Sequence, residues 1–308
     1  MTRKPLSNIA QSVRARLLKL SKETGRPFQE LLQLFAMERF LYRLSQSPHR
    51  DKLVLKGALM LAVWHSPSSR PTLDIDFLGR LTNDEPTLAA LVQEVCIISV
   101  ADDGLVFDPG SVATESIVEG ADYRGIRVRF KGKLDSALVH MQLDIGFGDA
   151  VIPGPLEIEY PTLLAFPAPT LLGYTIESAI AEKTETIVKL GVPNSRMKDF
   201  YDIWLLSRRF EFDGESLSAA VAATFGRRGT PIEASPAAFT ADFTENRQKQ
   251  VQWDAFVSKN GLEIAPQSIK EVVEELKLFL EPVLSKLSAD KSFLASWTPG
   301  GAWTIRTK

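Results

Sequence analysis

Apolar residues in the first half of this chain gather in short runs, and those in the second half recur at helical spacing. Leu53-Val54-Leu55 is a brief apolar run ahead of Lys56-Gly57-Ala58, and Leu59 to Trp64 is apolar again, which reads as strand, glycine turn, helix. Leu73-Asp-Ile-Asp-Phe77 and Leu138 to Phe147 are two further strand candidates. Helical patterns run from Leu6 to Ser21, with Ile9, Val13, Leu17 and Leu20 on one stripe, and from Pro27 to Ser45. Later ones cover Ile176 to Leu190, a helix starting near Ser195 with Asn194 or Ser195 as its cap, and Val272 to Leu287. Pro153-Gly-Pro155 through Phe166-Pro-Ala-Pro169 is proline-rich and marks a crossing between lobes. The pattern predicts an α/β protein: a helical layer to about residue 50, a mixed sheet core with helices, and a mostly helical C-terminal lobe. The expected division is residues 1–165 and 166–308.

The strand candidates carry carboxylates. Asp74 and Asp76 stand two apart, so on a strand they project from one face. Like charges held that close repel, and keeping both ionised requires a cation. The alternative is an acidic pair at a strand end that is simply solvated. Asp144 is the single carboxylate of an otherwise apolar strand, costly to bury unless paired, protonated or metal-bound. Together Asp74, Asp76 and Asp144 would make a two-metal site for in-line phosphoryl or nucleotidyl displacement, with Mg²⁺ the cation that suits hard oxygen ligands. Gly57 at its turn would let backbone N–H groups come close to a phosphate.

A second polar cluster lies between residues 176 and 206. Lys183 falls on one predicted helix, and Arg196, Lys198, Asp199 and Asp202 on the next. They either converge on a cleft or form an exposed salt-bridge array such as Lys198 with Asp202, worth a few tenths of a kcal/mol. Arg127 and Arg129 share a strand face opposite Val128 and Phe130, and are either solvated or part of a polyanion groove. Phe225-Gly-Arg-Arg-Gly-Thr230 reads as an exposed basic turn or one near substrate, and Trp253, Trp297 and Trp303 as packing anchors.

Composition narrows the class. The chain has 308 residues, 44% hydrophobic and 24% charged, enough for a full core and typical of neither a disordered nor a membrane-spanning protein. The basic start lacks the apolar segment of a signal peptide, so a cytoplasmic protein with no membrane partner is expected. The only cysteine, Cys96, lies among Leu91, Val92, Val95, Ile97 and Ile98 and reads as a buried thiol; the three histidines lack zinc-ligand spacing. The formal net charge of −2 conceals a basic start: residues 1–50 hold ten Arg or Lys against three Glu. Arg14, Arg16 and Lys19 either belong to an ordinary amphipathic layer or offer an RNA backbone a place to lie.

Gly57-Ala58, Asp74-Ile-Asp76 and Asp144 resemble the pattern of the polymerase β-type nucleotidyltransferase superfamily. The fuller resemblance is to the AbiEii/AbiGii toxin family, which includes the MenT toxins, of bacterial toxin–antitoxin and phage-defence systems. It is carried by Leu55-Lys-Gly-Ala-Leu59, Arg70-Pro-Thr-Leu-Asp-Ile-Asp-Phe77, Tyr123-Arg-Gly-Ile-Arg-Val128, Leu143-Asp-Ile-Gly-Phe-Gly-Asp149, Ala181-Glu-Lys183 and Asn194 to Ile203. Ala58 stands where the superfamily pattern has a second Gly or Ser, and the stretch between Gly57 and Asp74 is longer than that pattern usually shows, so that the His65–Pro71 loop would reshape the pocket mouth. The resemblance implies a nucleotidyltransferase-type core that moves NMP from an NTP to an RNA acceptor, the tRNA 3′ end foremost, opposed by a separately encoded antitoxin. It implies that Asp74, Asp76 and Asp144 hold metal, that Gly57, Ala58, Lys183, Arg196 and Asp202 bind nucleotide, and that the helical lobe brings Lys183 and Asp199 to the cleft. NMP-ylation of a protein or small-molecule hydroxyl, and a catalytically silent RNA- or protein-binding module, are the alternatives.

Overall fold

The computed structural model describes residues 9–64, 71–119 and 123–306. Its packing separates two units, Met1–Gly148 with Leu156–Gly173, and Asp149–Pro155 with Tyr174–Lys308.

In the first unit, α1 (Ile9–Thr24) and α2 (Phe28–Ser45) precede β1 (Leu53–Lys56). A tight 3₁₀ turn, Gly57–Leu59, leads into a single-turn α3 (Met60–Val63) and then β2 (Ile75–Gly79). Next come α4 (Glu85–Cys96), the long strands β3 (Leu105–Glu119), β4 (Tyr123–Leu134) and β5 (Ala137–Phe147), and short β6 (Leu156–Glu159) and β7 (Thr170–Gly173). Among the described residues the strands form one seven-stranded sheet ordered β3-β4-β5-β2-β1-β7-β6. β2 runs parallel to β5 and β1 parallel to β7, while the other neighbours are antiparallel.

Period-two alternation sets the sheet's faces. On β5, Val139, Met141, Leu143 and Ile145 are buried, while Leu138, His140, Gln142 and Asp144 take the other face. The buried face packs against α2, where Phe40, Phe107 and Phe130 meet with ring centroids 5.0–5.8 Å apart. That burial leaves α2 almost without a solvent face. Its charged residues are therefore answered internally: Arg43 forks onto Asp103 at 2.7 and 3.0 Å, and Arg39 reaches Glu38 at 2.8 Å. Asp84 caps α4 by accepting from the Thr87 N–H. Cys96 is buried as expected, and burial pushes its thiol up to about 12.

Several expectations shift in this unit. α1 extends to Thr24, and residues 6–8 of its predicted start lie outside the described ones, as do His65 to Arg70 of the predicted pocket-mouth loop. Arg14 and Arg16 do not share an open basic face with Lys19. Their guanidiniums sit 5.7 Å from the Phe28 ring and 5.1 Å from the Phe166 ring, and Lys19 pairs with Glu23. The helix after Gly57 is a single turn, too short to aim a macrodipole at an anion.

The second unit is mostly helical, as the pattern predicts: α5 (Ile176–Leu190), α6 (Met197–Arg209), α7 (Gly214–Arg228), α8 (Ala241–Thr244), α9 (Arg247–Asn260) and α10 (Ile269–Ser288). Thr175 caps α5 and Ser268 caps α10 through their side-chain oxygens. Neither Asn194 nor Ser195 caps α6. Arg196 holds that position without a side-chain cap, and the side-chain oxygen Oδ1 of Asn194 accepts from the Arg196 backbone N–H. Three short strands not expected from the sequence, β8 (Phe212–Asp213), β9 (Ala295–Trp297) and β10 (Trp303–Ile305), form a small antiparallel sheet. The tryptophans are anchors: Trp253 donates to the Pro266 carbonyl, Trp297 to that of Ser207 and Trp303 to that of Phe279. Among the described residues no helix is long and apolar enough to cross a membrane.

Candidate active site

β2 and β5 are parallel neighbours, and their register sets Asp76 directly beside Asp144. Asp74 lies just ahead of β2, two residues from Asp76, so one oxygen from each of the three carboxylates falls within 4.8 Å of the others. All three are half-buried. The Thr72 hydroxyl donates to Asp74 at 2.5 Å and fixes the first of them.

The register extends the relationship across four strands. Arg127 on β4 pairs with Asp144, and Lys56 on β1 pairs with Asp76. Reading across β4, β5, β2 and β1 at one level therefore gives cation, anion, anion, cation. Arg127 grips Asp144 with a fork, Nε to Oδ1 and Nη2 to Oδ2, both at 2.7 Å. That hydrogen-bonded fork, with the nearby charges of Asp144, Glu115 and Asp74, raises the pKa of Arg127 above its ordinary value. Lys56 and the Arg127 fork were not recognised in the sequence as parts of this site. The usable signal was parity: Arg127 falls on the strand face that Asp144 also takes.

Gly57 is shaped by the same acids. Its φ is +71°, and a Cβ built there would lie 1.9 Å from Oδ2 of Asp76. Only a residue without a side chain leaves the carboxylate its place. Ala58 is buried beside it. The donor set, three hard carboxylate oxygens on a rigid sheet, fits a divalent cation of the Mg²⁺ type.

Lys183, Arg196, Asp199 and Asp202 come together in the second unit, though not as an exposed array. Lys183 on α5 reaches Asp199 at 3.1 Å and Asp202 at 2.8 Å on α6, and Arg196 binds the other Asp199 oxygen at 2.9 Å. Both aspartates are buried, with side chains 3% and 1% exposed, so solvent cannot neutralise them. Burial would raise the pKa of Asp199, but Lys183 and Arg196 outweigh it and hold the carboxyl below its usual range. The predicted basic turn at Phe225–Thr230 is the end of α7. Arg228 there donates to Asp149 at 3.0 Å and to Glu185 at 2.8 Å, and Thr230 donates to Glu185. Burial opposes the Arg228 charge, yet Glu182, Asp149 and Glu185 together raise its pKa.

A mixed sheet that sets an Asp-x-Asp strand beside a third aspartate defines the class, a nucleotidyltransferase. The chain belongs to the AbiEii family, nucleotidyl transferase toxins of type IV toxin–antitoxin systems, whose family model matches residues 39–275. Among solved structures it is similar to MenT4, a nucleotidyltransferase toxin from Mycobacterium tuberculosis, at 19% identity and a TM-score of 0.55, covering 90% of this chain and 91% of that one. JHP933 from Helicobacter pylori is also similar, at 17% identity and a TM-score of 0.48, covering 85% of this chain and 94% of that one. No curated protein matches the sequence. Membership of a toxin–antitoxin family implies an antitoxin partner and a nucleotide substrate.

Proposed function

We propose that this toxin transfers a nucleoside monophosphate from an NTP to an RNA hydroxyl, with Mg²⁺ as cofactor and the 3′ end of tRNA as acceptor, in the cytoplasm. The observation that carries the reading is the carboxylate triad, three ligand oxygens within 4.8 Å of one another. Asp74, Asp76 and Asp144 would hold two metal ions, which when bound offset phosphate charge and make the acceptor oxygen a better nucleophile.

The protein's own residues have separate tasks. Asp144 takes the proton of the acceptor hydroxyl as its oxygen bonds to the α-phosphorus, and the bond from that phosphorus to the bridging oxygen breaks to release pyrophosphate. Gly57 and Ala58 keep the turn beside Asp76 small enough for the nucleotide to approach. Lys183 contacts the triphosphate, Asp199 and Asp202 hold its ammonium in place, and Arg196 steadies Asp199 through its other oxygen. Arg129, Lys131 and Lys133 alternate along β4 and are exposed, on the face that carries Asp144, which supports a polyanionic acceptor.

Labelled NTPs incubated with total RNA, total protein or neither, with Mg²⁺ or with a chelator, test the reading. Mg²⁺-dependent label in small RNA is the expected result. Label in protein, or transfer that survives chelation, overturns it.

A further inference from the structure

Among the described residues of the first unit, two forked Arg–Asp pairs stand in very different surroundings. Arg43 and Asp103 are 6% and 2% exposed, and their pair fastens α2 to the start of β3. Arg127 and Asp144 are 27% and 17% exposed, and their pair closes over one member of the carboxylate triad. A buried pair cannot open without stranding a charge, whereas a half-exposed pair opens at small cost.

Arg127 also has a second acceptor at hand. Glu115 on β3 is its register partner on the side away from Asp144, with Oε1 3.8 Å from Arg127 Nη1. The same Glu115 oxygen binds Arg129 at 2.8 Å. The Gln142 amide lies 3.4 Å from Asp144 Oδ2, so Asp144 keeps a neutral neighbour if the guanidinium leaves.

We infer that Arg127 is a placeholder cation, holding Asp144 while no metal is bound and passing to Glu115 when a metal takes that carboxylate. The inference rests on the metal reading above. It gives Arg127 a positioning role: it suppresses repulsion between Asp144 and Asp76 in the empty site, and it competes with the metal for the same oxygens. Asp144 becomes a ligand only once the fork has opened, so metal binding and the swing of Arg127 are one event.

Mn²⁺ binding to the full chain without nucleotide, followed by the electron paramagnetic resonance of free Mn²⁺, tests this without reference to activity. Arg127→Gln is expected to bind Mn²⁺ about fivefold more tightly than wild type, the equivalent of one half-exposed ion pair removed from competition. Glu115→Gln, which removes the alternative acceptor, is expected to weaken Mn²⁺ binding. The double variant should match Arg127→Gln, because Glu115 acts only through Arg127. If Arg127→Gln does not fold, Arg127→Lys, which keeps charge but loses the fork, should show a smaller gain of the same sign. Equal or weaker Mn²⁺ binding in the Arg127 variant overturns the placeholder role and makes the arginine a support for the ligand. A wild-type protein that binds no Mn²⁺ overturns the metal reading and this inference with it.

Discussion

The Cβ that Gly57 lacks would sit 1.9 Å from a carboxylate oxygen of Asp76. One residue's absent side chain is thus the space occupied by another's reactive group. Gly57→Ala should cost about 1–3 kcal/mol from the left-handed backbone alone, and should displace Asp76 as well. Denaturant unfolding of Gly57→Ala, Asp76→Ala and the double variant separates the two effects. The overlap contribution should vanish once Asp76 is gone, leaving only the backbone cost. Additive losses would show that Asp76 already tolerates a neighbour there.

Asp74→Ala and Asp76→Ala should each abolish transfer while leaving the metal-free protein at least as stable as wild type. Each removes one of three mutually repelling charges. Thermal unfolding with and without Mg²⁺ provides the check, since the stabilisation by metal should disappear together with activity. A variant that retained both would remove its residue from the site.

Lys183 has acquired a structural duty that sequence reasoning did not assign to it. Removing it leaves Asp199 and Asp202 buried without their main counter-charge, so Lys183→Ala should destabilise by about 3–5 kcal/mol. Adding Asp202→Asn should restore part of that loss. Steady-state transfer by the stabilised double variant then isolates the nucleotide role. A raised NTP requirement in a well-folded protein supports a triphosphate contact, and wild-type kinetics restricts Lys183 to the fold.

Glu38 and Asp199 should pull stability in opposite directions as pH changes. Burial raises Glu38 from 4.5 to about 7, despite the opposing charge of Arg39. Between those values the folded chain keeps a proton that the unfolded chain has released, so stability falls as pH rises through the window. Asp199 is depressed below 3.8, so its contribution is present above that value and is lost as pH falls through its folded pKa. Urea midpoints across both ranges should show the two slopes. Glu38→Gln should flatten the one nearer neutrality and leave the acid loss intact.

What the sequence revealed and what it concealed follow from the range of the interactions. Asp74, Asp76 and Asp144 were legible because period-two alternation is local, and a lone acid in an apolar strand stands out. The members of the Lys183 cluster were legible, but their pairing was not. Spacing suggests Lys198 with Asp202, while the packing of α5 on α6 gives Asp202 to Lys183 instead. The Arg127 fork depends on the register between β4 and β5, which no single segment encodes. The strands β8, β9 and β10 are two or three residues long, below the length at which alternation produces a signal.

The irregularity in the β3–β4 hairpin couples chain length to chemistry. Between Asp108 and Ala113 on β3 the partner strand advances only from Lys131 to Arg129, so β3 carries an excursion of extra residues there. Which β3 residue stands opposite Arg127 beyond it depends on how many residues the excursion absorbs. Deleting one residue ahead of Ala113 while the excursion keeps its length would slide the rest of β3 by one place and set Glu115 opposite Val128, on the other face of the sheet from Arg127. The excursion is therefore a setting by which insertions and deletions, remote in sequence from every aspartate of the triad, can retune the charge those aspartates experience.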